Sequence, residues 1–193
     1  IRKEVYATTG SRITLRFFGG WTYDEEEALR PDATRIGYRK GVPMGGDLPP
    51  RDGAEAPRFL VSALKHPNGA NLDRVQIIKG WLDAEGETHE MVYDVACSGG
   101  GAVDDETHRC PENGGRVDLS DCSISTDVGA GQLRAFWSDP DFDPSQRAFY
   151  YARVLENPTC RWSTWDAIRA EVAPRPDLPA TIQERAWSSP IHY

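Results

Sequence analysis

The sequence predicts a mainly β fold, an antiparallel β-sandwich-like domain with short helical inserts. Apolar and polar residues alternate with a period of two through several short segments. Glycine, proline, asparagine and aspartate cluster between these segments, as they do in turns. Helical periodicity is confined to short stretches, so helices are expected only as inserts between strands.

The first predicted strand is RITLRFFGG, in which Ile13, Leu15 and Phe17 share one face before two glycines end it. RFLVSALKH repeats this alternation. Val75 to Leu82 and Thr88 to Ala96 flank the turn AEGE and predict an antiparallel hairpin. Shorter strands are expected in RVDLSDCSIS, GQLRAFW and RAFYYARVLE.

RAFYYARVLE also has features of a helix, because Asp143 and Pro144 before it resemble a helix start. Its two tyrosines, phenylalanine and valine favour a strand. Helix is clearer in STWDAIRAEV, where Ser163 is the expected cap and Trp165, Ile168 and Val172 the expected buried face. A second short helix is expected in DEEEALR, which is followed by proline.

Length and charge limit the possible functions. The chain has 193 residues, enough for one domain with an elaborated insert. Lys and Arg number 22 against 30 Asp and Glu, a net charge of −8 without a long basic cluster. This balance argues against nucleic acid and anionic membranes as partners. The longest apolar runs have the length of strands, far short of a membrane span.

The four cysteines are Cys97, Cys110, Cys122 and Cys160, with no C-x-x-C pair among them. Zinc sites usually contain closely spaced ligands, so disulfides are the favoured use and four unpaired buried thiols the alternative. Two disulfides would imply an oxidising compartment, periplasmic or extracellular. Four cysteines allow three pairings, and spacing alone does not choose between them.

Asp139, Asp141 and Asp143 alternate as in a calcium-binding loop and are weak metal candidates. Pro144 and Tyr150 stand where such a loop needs glycine and glutamate, so ordinary turns are the simpler interpretation. The histidines are scattered along the chain, and no serine-nucleophile or phosphate-loop motif is present. Five tryptophans are expected either in the core or on a sugar-stacking surface: Trp21, Trp137, Trp162, Trp165 and Trp187.

Five ordered blocks resemble a bacterial family known only as domain of unknown function 3604. They are KEVYATTGSRITLRFFGG, VQIIKGWLDAEGETHEMVYDVA, WSDPDFDPSQRAFYYARVLE, PTCRWSTWDAIRA and PATIQERAWSSPIHY. The resemblance spans nearly the whole chain. It departs from the family at Ser11, where proline is usual, and in the four cysteines, which are not general to the family.

The resemblance implies a longer parent protein. Family members look as though they begin with a secretion signal and a metal-dependent hydrolase barrel similar to the PHP (polymerase and histidinol phosphatase) superfamily. Residues 1–12 would be the remnant of the join, entered from the last turn of a barrel helix, and residues 13–193 a single β-rich domain. Divalent metals would bind in the upstream barrel, and no cofactor and no catalytic residue is expected here. Thr9 and Arg12 would lie nearest the active centre.

Beside this resemblance, a contact between two predicted strands would imply a disulfide pairing. If GQLRAFW and RAFYYARVLE form a hairpin, Cys160 approaches Cys122, and Cys97 with Cys110 would close the glycine-rich loop between them.

The expected function is therefore that of an accessory region of a secreted or periplasmic metal-dependent (phospho)esterase, packed on the barrel of its own chain and not catalytic alone. The alternatives are a carbohydrate- or ligand-binding module and a structural or oligomerising domain, with a homo-oligomer possible. A row of exposed aromatic residues would favour the first alternative. An apolar face near the amino terminus would favour docking to a barrel.

Overall fold

A computed structural model describes residues 3–51, 53 and 55–193. In chain order its strands are β1 (Tyr6–Thr8), β2 (Thr14–Gly20), β3 (Gly41–Pro43), β4 (Arg58–Leu64), β5 (Leu72–Leu82), β6 (Thr88–Cys97), β7 (Gln132–Ser138), β8 (Ala148–Glu156), β9 (Thr159–Cys160), β10 (Thr181–Ile182), β11 (Arg185–Ser188) and β12 (Ile191–His192). The helices are α1 (Glu25–Leu29), α2 (Ala33–Lys40) and α3 (Trp162–Arg169).

Two antiparallel sheets form the body of the molecule. The larger sheet has the order β1-β11-β8-β5-β6, with β12 also paired to β8. The smaller sheet has the order β3-β2-β4-β7, and β9 and β10 form a separate two-stranded ribbon. The mainly β, sandwich-like fold class predicted from the alternating pattern is confirmed.

The main core lies between the two sheets. Leu15 and Phe17 of β2 pack there with Val75 and Ile77 of β5, and all four are fully buried. A second, smaller core lies on the opposite face of β2, where Phe18 packs beneath the first two helices. Gly37 of α2 rests directly on the Phe18 ring, since a Cβ at that position would lie 2.5 Å from it. The helices therefore cover the outer face of the smaller sheet.

Two local predictions are confirmed. β5 and β6 form the expected hairpin, with Leu82 opposite Thr88 at its end. RAFYYARVLE is the strand β8, which lies between β5 and β11 and so is paired on both sides.

Other local predictions are wrong. RVDLSDCSIS contains only one isolated bridge, between Val117 and Ile124. The helix α2 was not predicted. The helix predicted in STWDAIRAEV is present as α3, but Arg161 rather than Ser163 is its cap, and the side chains it buries are Thr164 and Ala167.

The expected buried face of α3 points outward instead. Trp165 is 37% exposed, and Val172 lies beyond the helix and is 59% exposed. The Thr164 hydroxyl donates a 2.8 Å hydrogen bond to the Ala180 carbonyl, which turns the face bearing Thr164 towards the ribbon.

The described part of the amino-terminal segment joins the larger sheet. Ile1 and Arg2 lie outside the described residues. From Lys3 onward the chain contains no helical turn before β1, and β1 pairs with β11, placing Thr8 opposite Ala186. Residues 6–8 thus belong to the larger sheet.

Candidate functional site

A hydrogen-bonded group of polar side chains, buried except for the exposed Asp141, lies between the two sheets, where the acidic stretch after β7 meets β5. We call it the Lys79 cluster: Lys79, Tyr93, Asp139, Asp141 and Tyr150. Lys79 follows Ile77 at a spacing of two along β5, so it points to the inner face of the sheet. Lys79 and Asp139 are each 2% exposed.

Hydrogen bonds connect every member of the cluster. The Lys79 Nζ atom lies 2.7 Å from Asp139 Oδ2 and donates to the Asp141 backbone carbonyl at 2.7 Å. The Tyr150 hydroxyl donates to the same Asp139 oxygen at 2.7 Å. The Tyr93 hydroxyl donates to Asp141 Oδ2 at 2.7 Å. The cluster therefore ties β5, β6 and β8 of the larger sheet to the end of β7 in the smaller one.

Burial keeps both tyrosines protonated. It raises the pKa of Tyr150, and the neighbouring Asp139 carboxylate raises it further. Burial likewise raises the pKa of Tyr93, with the hydrogen bond to Asp141 acting in the same direction. Both phenols remain hydrogen-bond donors throughout the physiological range.

The three aspartates predicted as weak metal candidates do not converge on one point. Asp139 is engaged by Lys79 and Tyr150, and its Oδ1 accepts from the Asp141 backbone N–H at 3.0 Å. Asp143 accepts from the backbone N–H and the hydroxyl of Ser145. The Lys79 ammonium thus pairs with the Asp139 carboxylate, whereas Asp143 binds Ser145. Within the described part of the chain, no three metal-ligating side chains are grouped.

A cleft of about 660 Å³ lies at the turn end of the β5–β6 hairpin. Its lining includes Trp81, His89, Arg147, Phe149 and His192. The Trp81 and His89 rings stack with centroids 5.2 Å apart. Gly80 also lines the cleft. The Phe149 ring packs directly on it, because a Cβ at this position would lie 2.4 Å from that ring. The sequence interpretation missed this cleft, although a glycine inside a predicted strand marks such close contacts.

Thr9 and Arg12 are predicted to lie nearest an active centre. In the chain they stand on either side of Ser11, which contacts a buried carboxyl group outside the Lys79 cluster. The Thr9 hydroxyl accepts from the Arg185 backbone N–H at 2.9 Å, and Arg12 is exposed. Between them, the Ser11 hydroxyl donates to Glu156, which is 1% exposed. Burial raises the pKa of Glu156; the Ser11 hydrogen bond opposes this shift and the charge of Glu184 adds to it.

The remaining histidines and tryptophans do not form one group among the described residues, although His192 lines the cleft with Trp81 and His89. His108 contacts Tyr93 with ring centroids 4.9 Å apart, whereas His192 lies 6.2 Å from Phe149. Trp21 belongs to the main core, and Trp137 packs against it. Trp162 of α3 is 73% exposed.

Two disulfides complete the arrangement. Cys97 bonds to Cys110 with Cα atoms 5.5 Å apart, and Cys122 bonds to Cys160 with Cα atoms 5.7 Å apart. This is the pairing that the sequence favoured, but the strand contact offered for it is wrong, because β7 pairs with β4 and not with β8.

The loop that precedes β7 reaches β9 for another reason. The side-chain amides of Asn71 and Asn157 both donate to the Val128 carbonyl, at 2.8 Å and 3.1 Å. These bonds hold the segment after Cys122 against the end of β8, and Cys160 follows shortly after that end.

None of the helices in the described ranges is long and apolar enough to cross a membrane. Fold, core and disulfides together define an antiparallel two-sheet domain with a disulfide-bonded loop region. The family model described as "Protein of unknown function (DUF3604)" matches residues 1–193, so the chain belongs to that family. No curated protein and no solved structure matches the chain.

Proposed function

We propose that this chain is the accessory C-terminal β-rich region of a secreted or periplasmic PHP-like metal-dependent (phospho)esterase and is not catalytic alone. Its partner is the upstream barrel of the same polypeptide, which would carry the divalent metals. The resemblance described in the sequence analysis motivates the hydrolase assignment, and the two disulfides fit an oxidising compartment. Asp139 of the Lys79 cluster does not fit a metal ligand, because the Lys79 ammonium already neutralises its carboxylate.

The observation that carries the proposal is an apolar surface beside the first strand. Val5 is 61% exposed, Tyr6 37% and Tyr38 47%. The Tyr38 hydroxyl donates to Glu4, which holds α2 against the amino-terminal segment. Exposed apolar residues grouped in this way mark an interaction surface, and here they surround the point where the preceding polypeptide would enter.

The entering segment is also firmly held. The Ser189 backbone N–H donates to the Val5 carbonyl at 2.9 Å. Gly45, at φ +84°, lies so close to Lys3 that a Cβ would approach the Lys3 carbonyl oxygen to 2.1 Å. A domain joined to such a segment would be positioned relative to both sheets instead of moving freely on a linker.

Val5→Glu in the protein encoded by the complete reading frame tests this surface. A buried, unpaired carboxylate at the proposed contact would weaken docking, so we expect a lower melting temperature and a lower hydrolase rate. Val172→Glu is the matched control, because Val172 is also an exposed valine, at 59%, but lies after α3. Equal effects of the two substitutions would contradict the proposed contact.

Carbohydrate binding is a second candidate, favoured by the exposed tryptophans of α3. Trp162 and Trp165 lie three positions apart on one helix, and Cys160 anchors the chain just before it. Affinity electrophoresis in gels containing soluble xylan, starch or mixed-linkage glucan tests this function. Retarded migration that Trp162→Ala removes and Leu178→Ala preserves would support it, and unretarded migration in all three gels would contradict it.

A further inference from the structure

The Lys79–Asp139 pair differs from the other ion pairs in the described part of the chain. Both of its side chains are essentially excluded from solvent, at 2% and 0% exposure, and its closest atoms are 2.7 Å apart. In the next most buried pairs, Arg74 with Asp94 and with Asp73, the arginine is 19% exposed. Enclosing two opposite charges costs free energy that their mutual attraction only partly returns.

One aromatic ring and two hydrogen bonds contact this pair. The Lys79 Nζ atom lies 5.2 Å from the centre of the Trp81 ring. The Asp141 backbone carbonyl accepts from the amine, and the Tyr150 hydroxyl donates to the carboxyl group. Holding two reacting groups together in this way raises their effective concentration by many orders of magnitude.

We infer that Lys79 and Asp139 condense to form an intramolecular amide bond between the two sheets. A proton passes from the Lys79 ammonium to the Asp139 carboxylate, and the neutral amine attacks Cγ. The new bond is Nζ–Cγ, and the bond that breaks is Cγ–Oδ2. Oδ2 leaves as water, carrying one proton from the first transfer and a second from the attacking amine.

Tyr150 is positioned to assist this step because its hydroxyl is hydrogen bonded to the leaving oxygen. It can donate its proton to Oδ2 as the C–O bond breaks and regain one from the amine. The reaction consumes no oxidant or cofactor, and it replaces two buried charges with a neutral amide. The released water is the only other product.

The matched comparison lies within the same molecule. Lys65 donates a 2.9 Å hydrogen bond to the side-chain oxygen of Asn71, a second lysine paired with a side-chain carbonyl. Both of these residues are only partly buried. Since the solvent around them stabilises the ammonium, this pair is expected to remain unreacted.

The test is the intact mass of the purified chain after complete disulfide reduction. The expected mass is that of the sequence less one water molecule, and a tryptic digest should contain residues 75–109 joined to residues 135–147. Lys79→Met should restore the full mass and release both peptides, whereas Lys65→Met should retain the cross-link. Asp139→Asn should form the same amide but lose ammonia in place of water.

A wild-type mass equal to that of the unmodified sequence would overturn the inference. A loss of water mapped to any other pair of peptides would overturn it as well. Because both results come from the wild-type chain, a variant that fails to fold does not affect the conclusion.

Discussion

Glu156 carries the clearest pH dependence at the level of single residues. Burial raises its folded-state pKa above the ordinary value of 4.5. Between these two values the folded chain binds more protons than the unfolded chain, so stability falls as the pH rises through that window. Below the ordinary value both states are protonated, and the penalty is absent.

Glu156→Gln is therefore expected to stabilise the protein at neutral pH while retaining an oxygen that can accept from Ser11. Each unit of raised pKa corresponds to about 1.4 kcal/mol. Denaturant unfolding below the ordinary glutamate pKa and at neutral pH measures the difference, with the exposed Glu85→Gln as control. A variant that is no more stable than the wild type at neutral pH would show that Glu156 does not carry this penalty.

The buried position of Lys79 could be predicted from the sequence, but its partner could not. The alternation predicts that Lys79 lies between Ile77 and Trp81 on one face of a strand, and a lysine on a buried face requires a partner. The alternation does not predict which residue that partner is. Asp139 lies 60 positions along the chain and reaches Lys79 only because the sheets stack face to face.

At the scale of elements, the two disulfides close loops of different length. The Cys97–Cys110 bond spans 13 positions and the Cys122–Cys160 bond spans 38. In the chain-entropy model a longer closed loop restricts the unfolded chain more, giving about 3 kcal/mol for the first bond and about 4 kcal/mol for the second.

Replacing each bonded pair with serines tests this order. We expect the Cys122→Ser, Cys160→Ser variant to lose more free energy of unfolding than the Cys97→Ser, Cys110→Ser variant, as measured by urea denaturation. The second bond also anchors the segment before α3, so its loss should increase amide hydrogen exchange over α3. Greater destabilisation from losing the shorter loop would contradict the loop-length argument.

Strands could be predicted where apolar and polar residues alternate and no side chain accepts a hydrogen bond from a nearby backbone N–H. β2, β4 and the β5–β6 hairpin meet that condition. RVDLSDCSIS alternates too, but Asp118 accepts from the Ser120 N–H and Asp121 from the Ser123 N–H, which form local turns in place of a ladder. α2 was missed because Gly37 interrupts its helical pattern, yet this glycine is what allows the helix to rest on Phe18.

At the scale of the whole molecule, β1 and β11 form one end of the larger sheet and the β5–β6 hairpin forms the other. The apolar surface around Val5 lies at the first end, and the aromatic cleft extends from the hairpin across β8 to His192 and Tyr193. The Lys79 cluster connects the two sheets beside this cleft, with the Lys79 Nζ atom 5.2 Å from the Trp81 ring.

We propose that the chain supports a metal-dependent hydrolase without being catalytic alone. The most direct test compares manganese-dependent hydrolysis of p-nitrophenyl phosphate by the 193-residue chain and by the product of the complete reading frame, at equal molar concentration. We expect hydrolysis by the longer protein and only background release of p-nitrophenol by the isolated chain. Metal-dependent hydrolysis by the isolated chain, or none by the longer protein, would contradict it.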